Sequence, residues 1–422
     1  MENEKRKKYV LVIPDGAADV YREAGKSPLA TARIPACDFL AREGASGLMQ
    51  TLYEDLPKES IVAQLGMLGW DPHVYYPHGR ASCELLALEG VRLGRHDLAF
   101  RANFVRMEQG ILASYNADYI RDEQARPLVA RLNEALREEF PQFELYHNTD
   151  FRNTLVVRNA GADPRRMRCP EPHESHGVRF DVRNLIRGED AASDAVAERI
   201  NRYLLSVSEL LEGEAANMVF PWSASKTLEL PPFNEHTGYD GRGAVVGNMD
   251  FLQGIAKAGG LDFFRRGNGR PDTDFRGKGA TTLELLDSGY DFVVCHINAP
   301  DEASHMGDLR LKIETLEQLD RWVVRPLVEY FETRPDALGG MMVVPDHYTN
   351  HERVSAKLKR VETHSPHPVP FALWNGRERD AATAFSEDDA LVGKYAGVPV
   401  NHLDLLRLLG VMRSRRYQAA VS

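Results

Sequence analysis

Three short apolar runs in this 422-residue chain each end in residues that bind cations, and that recurrence restricts the available folds more than any other feature. The fullest example is DFVVCHINAPDEASHMGD, residues 291–308. Phe292 to Ile297 reads as a buried strand, being short, apolar and rich in β-branched residues. The chain then breaks at Pro300 and offers Asp301, Glu302 and His305 ahead of a helix-like segment from Leu309 to Leu319. A carboxylate and an imidazole at this spacing, at the mouth of a buried strand, can reach one cation. In MMVVPDHYTN, Val343 and Val344 lead into Asp346 and His347, and KYVLVIPDG ends in Asp15.

The segments around these runs alternate between strand and helix. Tyr9 to Ile13 reads as a strand, Leu29 to Gly44 as a helix, and Ala45 to Leu52 as a second strand. Ser60 stands at a turn before a helix-like Val62 to Leu68. The rhythm resumes with a strand at Ala244 to Val246, a helix at Met249 to Gly259, a strand at Asp262 to Phe264 and a helix at Lys278 to Ser288. Such alternation predicts an α/β fold with a doubly wound, mostly parallel sheet and helices on both faces. Between Tyr75 and Gly241 the texture changes: strands at Asp97 to Met107 and Thr154 to Arg158 mix with helices at Glu123 to Glu138 and Ala191 to Leu211. We therefore expect residues 1–74 and 242–422 to form the metal-binding core. Residues 75–241 form an inserted, smaller α+β domain that would bind substrate.

Composition narrows the class of ligand. A formal charge of −10 argues against a nucleic-acid partner, since phosphate backbones attract clustered Lys and Arg. The basic run Lys5–Lys8 is followed by too few apolar residues for a signal peptide, and no stretch of about 18 apolar residues suggests a membrane span. The expectation is a cytoplasmic protein. Cys37, Cys83, Cys169 and Cys295 are scattered without a C-x-x-C spacing, so a metal site here would be built from oxygen and nitrogen. Those donors suit Mn²⁺, Zn²⁺ or Mg²⁺.

The candidate site residues are Asp15, Ser60, Asp301, His305, Asp346, His347 and His364, the last in ETHSPHPVPF. Singly, an Asp or His at a strand end is more often a cap or a loop polar group, and Ser60 alone is more often a helix N-cap. Together they count for more, because ligands of open α/β sheets gather at the carboxyl ends of the strands. Seven donors are too many for one tetrahedral site and enough for two. A pair of cations stabilises the attacking and leaving oxygens of an in-line displacement at phosphorus, and coordination would make the Ser60 hydroxyl a usable nucleophile. His351 and His367 lie near enough in sequence to support the ligands, whereas His173 and His176 read as loop residues. Gly25-Lys26-Ser27 lacks the earlier glycine of a phosphate-binding loop, Val20 standing in its place.

At these residues the chain resembles the archaeal-type 2,3-bisphosphoglycerate-independent phosphoglycerate mutases of the alkaline phosphatase superfamily, and most closely the subgroup of proposed homoserine kinases. The resemblance spans PDGAAD, GKSPLATARIPACDFLAREG, ESIVAQLGMLGWDP, LAFRANF, APDEASHMGD, VPDH and THSPHPVPF. It implies an isomerase that moves a phosphoryl group between the hydroxyls of 3-phosphoglycerate and 2-phosphoglycerate through a phosphorylated Ser60. It implies two divalent ions, Mn²⁺ first. Asp15, Ser60, Asp346 and His347 would hold one, and Asp301, His305 and His364 the other. Lys278 would face the transferring phosphoryl group, with Arg101 and Arg152 on the substrate side. The chain departs from the family around the nucleophile, at Glu59, Ile61 and Gln64. It also has ASYNADYI, residues 113–120, in place of an arginine-rich run. Arg265, with Arg266 and Arg270, offers compensating charge. Fewer arginines also suit an alternative reading, a phosphotransferase or phosphatase acting on another small hydroxylated metabolite.

Overall fold

The computed structural model describes residues 6–350 and 364–412, and the chain divides into two compact units, Met1–Tyr75 with Leu230–Ser422, and Tyr76–Glu229. The first unit is built on an eight-stranded sheet. Its strands lie in the order Asp262–Arg265, Gly243–Gly247, Phe292–Ile297, Lys8–Pro14, Leu338–Val343, Val369–Trp374, Ala45–Gln50 and Tyr395–Asn401. All run parallel except Val369–Trp374, which is antiparallel to both neighbours. The central strands are covered on both faces, which is why they read as continuous apolar runs: Val10 to Ile13 and Phe292 to Ile297 are fully buried. Tyr9 pairs with Phe292 and Ile13 with His296, so the strands end in step. The Asp15 amide, just past its strand, donates to the Ile297 carbonyl at 2.9 Å. Asp15 is thereby placed beside the turn that leads to Asp301.

Several local expectations are corrected. The helix expected over residues 29–44 is two helices, Pro28–Thr31 and Pro35–Arg42. Pro35 supplies no N–H and biases the residue before it away from helical geometry, so it starts a new helix. Pro300 likewise begins a helix, Ala299–His305, where its missing N–H costs nothing. Asp301 and His305 are thus one helical turn apart on a shared face. The insertion was expected to end at 241, but residues 230–241 pack with the first unit. The Trp70 indole N–H donates to the Pro231 carbonyl at 3.1 Å, and the Phe233 ring stacks on Phe292 at 5.6 Å. Apolar Phe233 opens the polar, glycine-rich stretch and buries itself in the core.

The second unit is an antiparallel sheet of five strands. Leu98–Glu108 pairs with Ile111–Ser114, Arg152–Val157 and Met218–Ser225, and Phe143–Thr149 flanks Arg152–Val157. Leu98, Phe100, Ala102 and Phe104 alternate onto one face and pack with Leu132, Ile200, Tyr203 and Leu204 from the helices Asp122–Leu136 and Ala191–Leu210. The Lys226 amide donates to the Pro77 carbonyl at 3.0 Å, so the two ends of this unit lie side by side.

Candidate metal centre

Asp15, Asp301, Asp346 and His347 all emerge at the carboxyl edge of the central parallel strands, and each is buried. Ser60 is the first residue of the helix Ser60–Met67, and Glu59 takes the cap position. The Ser60 side chain is directed at His347, its Oγ 3.0 Å from Nε2. His347 Nε2 also lies 3.4 Å from Asp15 Oδ1 and 3.6 Å from Asp346 Oδ2. Asp346 is held by the Gly16 amide at 3.0 Å and the Gln64 carboxamide at 3.1 Å. On the other side, Asp301 Oδ2 is 3.1 Å from His305 Nε2, and Asp301 Oδ1 is 3.5 Å from His364 Nε2. The His347 and His364 rings sit 4.0 Å apart, which joins the two groups. All seven residues expected to bind cations are therefore in one place, drawn from across the chain.

The ligand atoms fall into two sets with cation-binding spacing, Asp301 with His347 and His364, and Asp15 with His296 and Asp346. Here His347 sits with Asp301, whereas the sequence resemblance groups it with Asp15. Its Nε2 faces Asp15 and Asp346, while its Nδ1 reaches toward Asp301 through Thr349. His296 is a residue that sequence reasoning missed. It is fully buried in the Phe292–Ile297 strand, 3.2 Å from Asp15 Oδ2. A histidine inside an otherwise apolar run was the signal that could have found it.

The electrostatics call for positive charge. Burial, then repulsion from Asp346 and Asp301, raises the Asp15 carboxyl well above its usual range. Burial also pushes Asp301 up, but hydrogen bonds from His305 and His364 outweigh it and hold that carboxyl well below its usual range. Burial lowers both His347 and His296 to about 4, which favours the neutral ring that a cation requires. Among the described residues, Asp15 Oδ1 and both ring nitrogens of His296 are buried without a well-aligned hydrogen bond, although His296 Nε2 stands 3.2 Å from Asp15 Oδ2. Three buried carboxylates beside neutral imidazoles, with orphaned lone pairs among them, fit divalent cations bound through oxygen and nitrogen.

The remaining expected residues are less concentrated. Lys278 is fully buried on the helix Phe275–Asp287 and donates to Asn248 Oδ1 at 2.9 Å and to the His296 carbonyl at 2.8 Å. Burial pushes its ammonium down to about 8. Arg265, at the end of its strand, donates to the Asn248 carbonyl at 2.6 Å and pairs with Asp250. Arg101 belongs to the second unit, where it donates to Glu84 at 3.0 Å and lies over the Trp222 ring at 4.2 Å. Burial, with Arg80 and Arg152 nearby, lowers the Arg101 guanidinium to about 10. Arg152 is exposed and stacks on Phe151 at 4.3 Å. His367 bonds to Ser365 Oγ at 2.8 Å, and His351 lies outside the described residues. His173 and His176 sit on the surface, as expected of loop residues.

Fold and site define a mostly parallel α/β protein with a carboxylate–histidine centre at the carboxyl edge of its sheet. Its fold is shared by a solved protein from Pyrococcus horikoshii, with a TM-score of 0.73, 24% identity and coverage of 96% of each chain. It is shared also by the cofactor-independent phosphoglycerate mutase of Thermoplasma acidophilum, with a TM-score of 0.61, 24% identity and coverage of 96% of this chain and 98% of that one. The sequence profile of 2,3-bisphosphoglycerate-independent phosphoglycerate mutase matches residues 41–217. Enzymes of that name from Methanosarcina barkeri and Methanothrix thermoacetophila are 32% and 35% identical to this chain, over 94% and 95% of its length and 98% and 99% of theirs. The chain belongs to the 2,3-bisphosphoglycerate-independent phosphoglycerate mutase family.

Proposed function

We propose that this chain interconverts 3-phosphoglycerate and 2-phosphoglycerate by passing the phosphoryl group through Ser60. The observation that carries this reading is the Ser60 hydroxyl, at a helix N-terminus and 3.0 Å from His347 Nε2, in a pocket of buried carboxylates. Backbone N–H groups at such a terminus favour a bound phosphoryl group. The names of its relatives support the same reaction.

In this reading Asp15, Ser60, Asp346 and His347 would hold one divalent cation and Asp301, His305 and His364 the other, with His296 backing Asp15. Mn²⁺ is the first choice, and Zn²⁺ and Mg²⁺ share the required chemistry. Bound there, the cations would neutralise phosphoryl oxygens and lower the pKa of the serine hydroxyl. Ser60 Oγ forms a bond to phosphorus as the ester bond to the glycerate oxygen breaks, and that oxygen takes up a proton. The reverse step delivers the phosphoryl group to the neighbouring hydroxyl of the same glycerate. Lys278 carries positive charge to this edge and has a third N–H for a phosphoryl oxygen. Arg101 and Arg152 are assigned to the glycerate carboxylate. Arg265 would join that set, exchanging Asp250 for the substrate as Arg101 would exchange Glu84. We place the reaction in cytoplasmic glycolysis, a setting that four free cysteines support.

The test is a coupled assay. Purified protein with Mn²⁺ and 3-phosphoglycerate should yield 2-phosphoglycerate, read by the absorbance of an enolase step. Ser60→Ala should lower the rate at least about a thousandfold, and mass spectrometry of wild type quenched in turnover should find phosphate on Ser60. Phosphate release from a generic phosphomonoester with no 2-phosphoglycerate formed would overturn the mutase reading in favour of a phosphatase or phosphotransferase.

A further inference from the structure

Thr349 lies among the candidate ligands without being one of them. It is fully buried, and three of those ligands meet it. Its Oγ1 is 2.7 Å from Asp301 Oδ1 and 3.0 Å from His347 Nδ1, and its backbone pairs with that of His364 in a short antiparallel ladder. The backbone is fixed in turn. The Thr349 amide donates to the Ala18 carbonyl at 3.1 Å, and the Thr349 carbonyl accepts from Lys312 Nζ at 2.8 Å. Lys312 and Asp19 form a fully buried ion pair at 3.0 Å beneath it. A tightly held residue thus presents one hydroxyl between a carboxylate and an imidazole.

Proton counting then decides the direction of each bond. An ionised carboxylate only accepts, so the Thr349 O–H must donate to Asp301. Having used its one proton, Oγ1 can only accept from His347, which requires the hydrogen on Nδ1. In the neutral ring, the form that can bind a cation, that one N–H leaves Nε2 as a bare lone pair facing Ser60 Oγ. Asp15 and Asp346, at 3.4 and 3.6 Å, would draw the proton to Nε2, but the bonds through Thr349 are shorter and better formed.

We propose that Thr349 is a positioning residue that sets the tautomer of His347, holding the proton on Nδ1 so that Nε2 is free to accept from Ser60 or to bind a cation. The use made of Nε2 rests on the function proposed above, whereas the tautomer does not.

The experiment is nitrogen-15 NMR of the histidine rings in the cation-free full chain, combined with Mn²⁺ titration calorimetry. Wild type should show His347 as the Nδ1–H form. Thr349→Val, of similar shape but without the hydroxyl, should redistribute the proton toward Nε2 and weaken Mn²⁺ binding roughly 10- to 100-fold, and Thr349→Ser should restore both. A wild-type His347 protonated on Nε2 overturns the proposal whatever the variants do, including a Thr349→Val that fails to fold. So does a folded Thr349→Val that keeps the Nδ1–H form and binds Mn²⁺ within about twofold of wild type. An Nδ1–H wild type with no mutase activity would leave the tautomer assignment standing and remove only the function proposed above.

Discussion

At the scale of single residues, the centre depends on how closely backbone and ligands approach. Gly16 follows Asp15 at φ +61°, and a Cβ added there would stand 2.5 Å from Thr349 Oγ1 and 2.7 Å from Asp301 Oδ1. Both the backbone conformation and the space call for glycine. Gly16→Ala should destabilise the chain by about 1–3 kcal/mol and weaken Mn²⁺ binding, checked by urea unfolding and calorimetry. Wild-type values for both would show that Thr349 and Asp301 are not held as tightly as argued. Asp15, Ser60, Asp301 and Asp346 were legible because each stands where an apolar run or a turn hands over to a helix or loop. His296 and Thr349 were not, since one is hidden inside a strand and the other reads as an ordinary β-former.

Among the elements, prolines did more than the hydrophobic pattern suggested. Pro300 starts the helix that sets Asp301 and His305 one turn apart, where a pattern-based reading saw only a break. In the second unit, ionic contacts join the ends of the strands Leu98–Glu108 and Arg152–Val157. Arg158 bonds to Asp97 at 2.8 Å and to Glu144 at 2.7 Å. Burial pushes the Asp97 carboxyl up, but bonds from the Asn159 amide and Arg158 outweigh it and leave it below the usual range. A carboxyl depressed on folding stabilises the chain above its unfolded pKa, and that stabilisation disappears as pH falls through the lower folded value. The urea midpoint of this unit should therefore fall between about pH 5 and pH 3, and Asp97→Asn should flatten the decline. Arg158→Met should cost about 1.5–3 kcal/mol at pH 7. An unchanged slope in Asp97→Asn would assign the acid sensitivity elsewhere.

For the whole molecule, the two units give a way to locate the cations. All proposed ligands belong to the first unit, while Tyr76–Glu229 has a core of its own. Chelation should destabilise only the first unit, by about 2.7 kcal/mol if the free ion had stood at a hundred times its dissociation constant. Calorimetric scans with and without chelator, with the signals of each unit followed by NMR, would show which transition moves. Movement of the Tyr76–Glu229 signals alone would contradict the placement of the ions.

Periodicity and the repeated pairing of apolar run with Asp or His pointed, from the sequence by itself, to a parallel α/β core and to Asp15, Asp301, His305, Asp346 and His347 as candidate ligands, whereas Ser60 came from its turn and His364 from the family resemblance. Those are local properties, written in side-chain alternation and in which residues follow a strand. Only the tertiary structure decided that the strands ending at Ile297 and Val343 flank the one ending at Pro14, with Ile297 level with Pro14 and Val343 with Val12, and that His364 reaches Asp301. It alone showed a buried threonine hydroxyl joining His347 to Asp301. Contacts between residues hundreds of positions apart depend on strand order and register, and no local pattern encodes them.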